Sequence, residues 1–445
     1  MRPSLSSSLL FAWLALLPAV AAAGPAPGGL EEVEGYVLPE VDLAAIRAAD
    51  ERRAARGMVP HYAVARPVRI NPWNHGVWQS ARNERARWRL RLVSRGALSL
   101  NLAFGRFHLP EGARLTVSSA DGLYRIGPFT ERDNDDHGEL WTPPIPAEEI
   151  LLDLSLPVER LEGLELELTE IHHGYAGFGA PPPKSGDCQV DVACSEAEPW
   201  SDQARSVALI SVDGVRFCTG FLVNNTALDG RPLFVTAYHC GVTPSNAPSV
   251  VVMWNHQRPG CGAPAAAAED WPTFQTGAVF RASYRPADVV LLELDDLPDP
   301  ALGVYYAGWD RGELPADSDS AAAVAIHHPN TDVKRISFAD GVIATRHLSD
   351  EPDPGGDHLR VVRWALGTTE GGSSGAPLFN RDGRVIGQLH GGYAACGDPR
   401  SDWFGWLSVS WTGGRRPGTR LSDWLDPIAS GAPTLDGLDG SAVSP

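Results

Sequence analysis

The stretch TTEGGSSGAPLFN, residues 368–380, decides how the chain is read. Within it, Gly372-Ser373-Ser374-Gly375-Ala376-Pro377 has the form G-x-S-G-x-P. Glycines let a backbone turn tightly enough for the N–H groups of Gly372 and Ser374 to converge on one developing oxyanion. The glycine directly after the second serine selects Ser374 over Ser373 as the candidate nucleophile. A flexible Gly/Ser linker is the competing explanation. The apolar strand PLFN and the turn NRDG that follow speak against it.

A serine hydroxyl becomes a nucleophile only with a base to take its proton and an acid to orient that base. Both lie upstream. In PLFVTAYHCGV (232–242) an apolar strand runs into His239, flanked by Cys240, with Cys218 earlier in FCTGFLVNN. A Cys218–Cys240 bridge would pin the histidine loop, and closing a loop of that size is worth about 3 kcal/mol. In YRPADVVLLELDD (284–296) Asp288 precedes a fully apolar strand, which would bury its carboxylate. The order along the chain is His239, Asp288, Ser374.

The rest of the chain fits an exported, two-part precursor. MRPSLSSSLLFAWLALLPAVAAAG has one basic residue, a short apolar core and an A-x-A site, the pattern of a signal peptide over residues 1–23. Residues 24–184 read as a pro-region: a helix near Leu43–Arg56, then from about residue 60 a β-rich, sandwich-like unit. Its alternating segments are RWRLRLVS, LSLNLAFGRF, ARLTVSS, ILLDLSL and LELELTEI. WNHGVW (73–78) and His172–His173 could suggest a ligand site, but are expected to be strand-edge surface residues. GFGAPPPKSGD (177–187) is a Gly/Pro hinge, and residues 185–445 form a second all-β unit of barrel type, closed by a short helix in TRLSDWLDP with Thr419 as its N-cap.

Composition narrows the partners. The net charge of -18, without a basic block, argues against nucleic acid and against a membrane surface. All six cysteines lie at or after Cys188, an even number in an exported chain, which reads as a disulfide framework with 15 pairings open. No metal and no cofactor are expected. Localisation is expected to be extracellular, reached through a periplasm where there is one, and the protein is expected to be a monomer.

The three motifs in this order resemble the chymotrypsin–trypsin superfamily, and more finely the bacterial lysyl endopeptidases of the Achromobacter and Lysobacter type. The stretches that carry the finer likeness are TGFLVNNTA (219–227), AGWDR (307–311), AIHHPN (325–330), KRIS (334–337), GQLHGG (387–392) and SWTGG…RLSDWLDP (410–427). It spans Cys188 to about Gly440. The resemblance implies a chymotrypsin-like double β-barrel and the bridges Cys188–Cys396, Cys194–Cys261 and Cys218–Cys240. It also implies a serine endopeptidase with protein or peptide substrates.

A basic side chain in a desolvated pocket needs a carboxylate at its base. The trypsin position for that acid is Thr368 here. The lysyl endopeptidases place it in an R-S-D segment, matched by Arg400-Ser401-Asp402, with His390 and the strand edge Gly391–Gly392 beside the substrate. The family's tryptophan that stacks on this histidine has no clear counterpart within residues 346–359. Arg or mixed Lys/Arg preference is one alternative, and a non-catalytic binding or adhesion module is another. Ser373 precedes the nucleophile where trypsin has an Asp, so activation by a new N-terminus is not expected. With lysine only at 184 and 334, self-cleavage would fall at Lys184–Ser185 in the hinge, and the pro-region would be the enzyme's own partner.

Overall fold

The computed structural model describes residues 33, 35–56, 58–80, 84–177, 185–264, 273–314, 322–398 and 400–443. The signal-peptide segment and Lys184 lie outside these residues.

Alternating strands in the amino-terminal part form two sheets with one apolar core between them. One sheet runs in the order Gly35–Val37, Arg85–Val93, Glu149–Pro157, Arg114–Ser119, Arg125–Phe129, with Val77–Ser80 on the flank of Arg85–Val93. The other runs Ala63–Ile70, Glu165–Gly174, Ser99–His108, Leu140–Trp141. Trp88, Leu90, Leu115, Leu152 and Leu154 from the first sheet meet Leu102, Phe104, Leu166 and Ile171 from the second. Alternation with period two puts these residues on one face and charges such as Arg87 and Asp153 on the other. The helix Leu43–Ala54 opens with Asp42, whose carboxylate accepts from the Ala45 N–H at 3.0 Å.

Two expectations change here. His172 and His173 are buried, because Glu165–Gly174 is an inner strand paired on both sides. His172 Nε2 meets Glu170 at 3.0 Å and His173 Nδ1 meets Ser94 at 2.8 Å, while His173 Nε2 is buried without a partner. Alternation alone does not tell an inner strand from an edge. The last helix, Leu421–Leu425, starts after Arg420 rather than Thr419. The Thr419 hydroxyl donates instead to the carbonyls of Gly414 and Arg416, closing the preceding turn.

The carboxy-terminal part is a pair of curled sheets. The first orders its strands Phe274–Thr276, Val251–Met253, Val207–Val212, Arg216–Leu222, Leu233–Ala237, Val289–Leu294, Ala278–Tyr284. The path of the second runs from Val190–Asp191 through Arg335–Ala339, Ala323–His327, Pro377–Phe379, Val385–Gly392 and Asp402–Trp406 to His358–Val361 and Val342–Thr345. Each sheet encloses its own apolar cluster. A third cluster, in which Val235, Leu291, Ile326, Phe379, Trp309 and Trp411 meet, joins the two barrels. Strand ends therefore face each other across a cleft. The disulfides are Cys188–Cys396, Cys194–Cys261 and Cys218–Cys240, and no cysteine is left as a free thiol.

The sandwich docks on the first barrel through buried and half-buried polar groups. The Tyr62 hydroxyl lies 2.9 Å from Ser211 Oγ, Asn101 donates to the Gly214 carbonyl at 3.2 Å, and His137 meets Asp295 at 2.9 Å.

Candidate active site

Strand Leu233–Ala237 ends in a single tight turn, Tyr238–Cys240, which carries His239 to the cleft. The disulfide from Cys240 to Cys218 fixes that turn to the neighbouring strand. Asp288 sits in a left-handed conformation (φ 54°) just before strand Val289–Leu294 and is 2% exposed. Its two carboxylate oxygens are divided between the backbone N–H of His239 at 2.9 Å and the ring Nδ1 at 2.6 Å. With Nδ1–H donating to Asp288, Nε2 is left to accept from the Ser374 hydroxyl, 2.8 Å away. The structure thus brings His239, Asp288 and Ser374 into one chain of hydrogen bonds.

The loop that carries Ser374 is held from below. The Thr219 N–H donates to the Ser374 carbonyl at 2.9 Å and the Thr219 hydroxyl donates to the Gly372 carbonyl at 3.0 Å. Gly372 (φ 91°) and Gly375 (φ 85°) both need glycine: a Cβ at Gly372 would fall 2.1 Å from the Phe217 ring, and one at Gly375 2.3 Å from the Thr219 carbonyl oxygen. Among the described residues, the N–H groups of Gly372 and Ser374 donate to no protein acceptor, so both are available to an oxyanion. Ser373 is placed quite differently. It is fully buried, and its hydroxyl meets Nδ1 of His327 at 2.8 Å, away from His239. Burial pushes the His327 pKa down to about 3, so this ring is neutral.

On the second-barrel side lies Asp402, 1% exposed at the start of strand Asp402–Trp406 and paired with Gly392 in the ladder. Its Oδ2 accepts from the Thr369 hydroxyl at 2.6 Å and from the Trp364 indole N–H at 2.7 Å. Oδ1 accepts a longer bond from the Ala394 N–H at 3.4 Å. Burial raises its pKa, and these donors only partly offset that. No Lys, Arg or His among the described residues lies within 4.0 Å of it, so the carboxylate is buried without a cation.

His390 stands beside the relay. Its ring stacks on His239 at 5.4 Å between centroids, and its Nε2 is 3.8 Å from Asp288 Oδ2. On the other face, His347 stacks on it at 3.6 Å with the rings 10° apart. The segment 346–359 holds no indole, and the flat ring it places on His390 is an imidazole. His358 meets His390 Nδ1 at 2.9 Å and is backed by Asp357 at 2.7 Å. Burial drives the pKa of His347 down to about 4 and that of His390 down to about 2, each helped by neighbouring histidines. Sequence reasoning missed Trp364, Thr369, His347, His358 and Asp357. No local pattern in the sequence announced them.

Two barrels that share an interface cluster, with a His–Asp–Ser relay in the cleft between them, define the chymotrypsin-like double-barrel fold. The profile of the lysyl endopeptidase carboxy-terminal domain matches residues 183–405. The chain belongs to the lysyl endopeptidase family. The lysyl endopeptidase of Pseudomonas aeruginosa is 32% identical over 295 residues, 59% of this chain and 60% of that protein. The match thus spans under two thirds of that relative's length. Solved structures similar to part of the chain include the Rv3671c protease from M. tuberculosis in its active form (22% identity, TM-score 0.32, 53% of this chain and 92% of that one). Human heparin binding protein is another (18% identity, TM-score 0.34, 47% and 88%).

Proposed function

We propose that this protein is a secreted serine endopeptidase that cuts after basic residues, lysine above all, and that it is made as a precursor whose residues 24–184 are removed. The observation that carries the reading is the pairing of an assembled relay with a buried carboxylate that has no cation. A lysine ammonium entering the pocket would supply the missing charge in a site that excludes water. The P. aeruginosa relative, named a lysyl endopeptidase, supports the same preference.

In this reading Ser374 Oγ attacks the scissile carbonyl carbon while its proton passes to His239 Nε2. Asp288 holds the ring in the required tautomer and stabilises the imidazolium that forms. The oxyanion is received by the N–H groups of Gly372 and Ser374. As the C–N bond breaks, His239 returns the proton to the departing amine. Water, deprotonated by the same nitrogen, then releases the acid and restores Ser374. The substrate backbone pairs along half-buried Gly391 and exposed Gly392, and His390 packs between that edge and the relay.

Lys334 is buried beneath the barrel surface, its ammonium on the Ala204 carbonyl at 2.7 Å, so the hinge lysine is the one a lysine-directed protease would reach. The test is a cleavage-site profile on a denatured proteome, together with N-terminal sequencing of the secreted form. Cuts after lysine and an N-terminus of Ser185-Gly186-Asp187 are expected. Cuts spread equally over Arg and Lys would establish mixed preference, and the absence of any cleavage by a folded protein would support the binding module instead.

A further inference from the structure

The two sides of the cleft are not in the same state. On the acyl side, a Cβ built on Gly391 would have open space around it, and Gly392 is exposed. On the opposite side of Ser374, residues 58–62 of the amino-terminal domain lie across the strand that leads into Cys218. His61 pairs antiparallel with Arg216, and the Tyr62 N–H donates to the Val215 carbonyl at 2.9 Å. Val59 is buried in the apolar cluster that holds the Cys218–Cys240 disulfide and Val242. The Pro60 ring would lie 3.1 Å from a Cβ on Gly371, at the rim of the nucleophile loop. Between this strap and His239 is a cavity of about 460 Å³, lined by Met58, Val59, His61, Val215 and the ion-paired Asp213 and Arg216 as well as His239 itself.

The acyl half of a substrate must extend toward Asp402, so the leaving amine and the residues after it must cross the Cys218–Cys240 side. There a peptide would find a strand edge to pair with and an apolar recess for a small side chain, the interactions by which extended peptides dock on sheets. The strap already uses both. Meanwhile the relay distances of 2.6 and 2.8 Å are those of an assembled centre.

Resting on the function proposed above, we infer that the leaving-group side of the cleft is a binding site for an extended segment bearing a small aliphatic side chain. Residues 58–62 fill it in the precursor, and that filling alone makes the precursor latent, with relay and lysine pocket ready for use. The precursor is therefore blocked against peptides but open to substrates that end at the scissile bond.

The experiment compares two substrates on the uncut precursor, held intact by Lys184→Gln, and on the mature protease. One is a lysine thiobenzyl ester, which has no residues beyond the leaving group. The other is a quenched peptide with four residues on each side of one lysine. The ester should be turned over by the precursor within about fivefold of the mature rate, and the peptide at least 100-fold more slowly. Loss of both activities in the precursor, with both present in the mature enzyme, would overturn the inference and leave the proposed function standing. Equal retention of both would overturn it as well. A mature protein inert toward both would instead refute the proposed function. Val59→Asp in the same precursor, checked for an unchanged melting temperature of the barrels, should raise peptide hydrolysis at least tenfold and leave ester hydrolysis alone. A folded Val59→Asp precursor with unchanged peptide hydrolysis would count against the strap.

Discussion

The amino-terminal sandwich and the carboxy-terminal barrels are both all-β, yet they bury different chemistry. The sandwich core is dominated by aliphatic and aromatic side chains, and the charged or imidazole side chains buried in this part, among the described residues, are Arg89, His172 and His173. The barrels bury Asp191, Asp288, His327, His328, Lys334, Arg335, His358 and Asp402, and they hold all three disulfides. Each buried ionisable group costs desolvation energy that only well-placed partners offset. A domain that keeps such groups in fixed positions benefits from covalent clamps. A domain whose core holds few such groups can rest on apolar packing.

The sharpest way to break this comparison is at two adjacent serines. Ser374→Ala, like His239→Ala, should lower peptide turnover by roughly 10⁴-fold or more, because members of such a relay act as a unit. Ser373→Ala, which removes the partner of a neutral buried His327 and a 3.2 Å acceptor of the Glu370 N–H but nothing that touches His239, should keep most of the turnover. Steady-state kinetics of the purified variants decide it. A dead Ser373→Ala and an active Ser374→Ala would reverse the assignment of the nucleophile.

Next in size is the pocket. Asp402→Asn keeps the shape and can still accept from Thr369 and Trp364 but removes the charge, so kcat/KM on lysine esters should fall by tens- to thousands-fold, about 2–5 kcal/mol. Labelling of Ser374 by a small, non-specific organophosphonate should be unchanged. Equal loss of labelling would mean that Asp402 supports the loop rather than the substrate.

How far these residues were legible follows from where they sit. His239, Asp288 and Ser374 each lie at a strand end or tight turn with a local signature, so one-dimensional reading reached them. Asp402 was reached only through resemblance. Trp364 and Thr369, which satisfy its carboxylate, stand 38 and 33 residues from it in sequence, and no local pattern announces a bond of that span. His347 and His390 are similarly remote, and their stacking depends on how two strands of one sheet fold back. The inner position of Glu165–Gly174 was hidden for a related reason, since alternation reports the face of a strand and not its neighbours.

The sandwich side of the comparison predicts a smaller, different effect. Leu152→Ala, at a fully buried site, should destabilise the amino-terminal domain by about 2–5 kcal/mol. In a Ser374→Ala precursor this should appear as a lowered melting transition for the sandwich. The same change in an active background should reduce the yield of mature protease while leaving its kcat/KM untouched. A changed kcat/KM would show that the sandwich shapes the barrels permanently.

The smallest effect tests whether a buried charge costs the barrels anything at rest. Burial lowers the pKa of Lys334 from its ordinary 10.5 to about 7. The folded form therefore sheds its proton near pH 7, while the unfolded chain keeps it up to about pH 10.5. Across that window the unfolded state binds more protons, so this residue's contribution to stability rises with pH. Below about pH 7 both states are protonated and the contribution is flat at its lowest. Lys334→Met fills a similar volume without a charge, although it removes one of two donors to the Ala204 carbonyl, which keeps the Val207 N–H, at a cost of about 0.5–1.5 kcal/mol at every pH. The informative quantity is therefore the slope and not the offset. The melting temperature of the wild type relative to Lys334→Met should climb between pH 7 and pH 10, with the remaining groups cancelling in the difference. Parallel curves would mean that the Ala204 carbonyl holds the ammonium charged inside the barrel, and the desolvation cost assigned to this side of the comparison would then have to lie with the carboxylates alone.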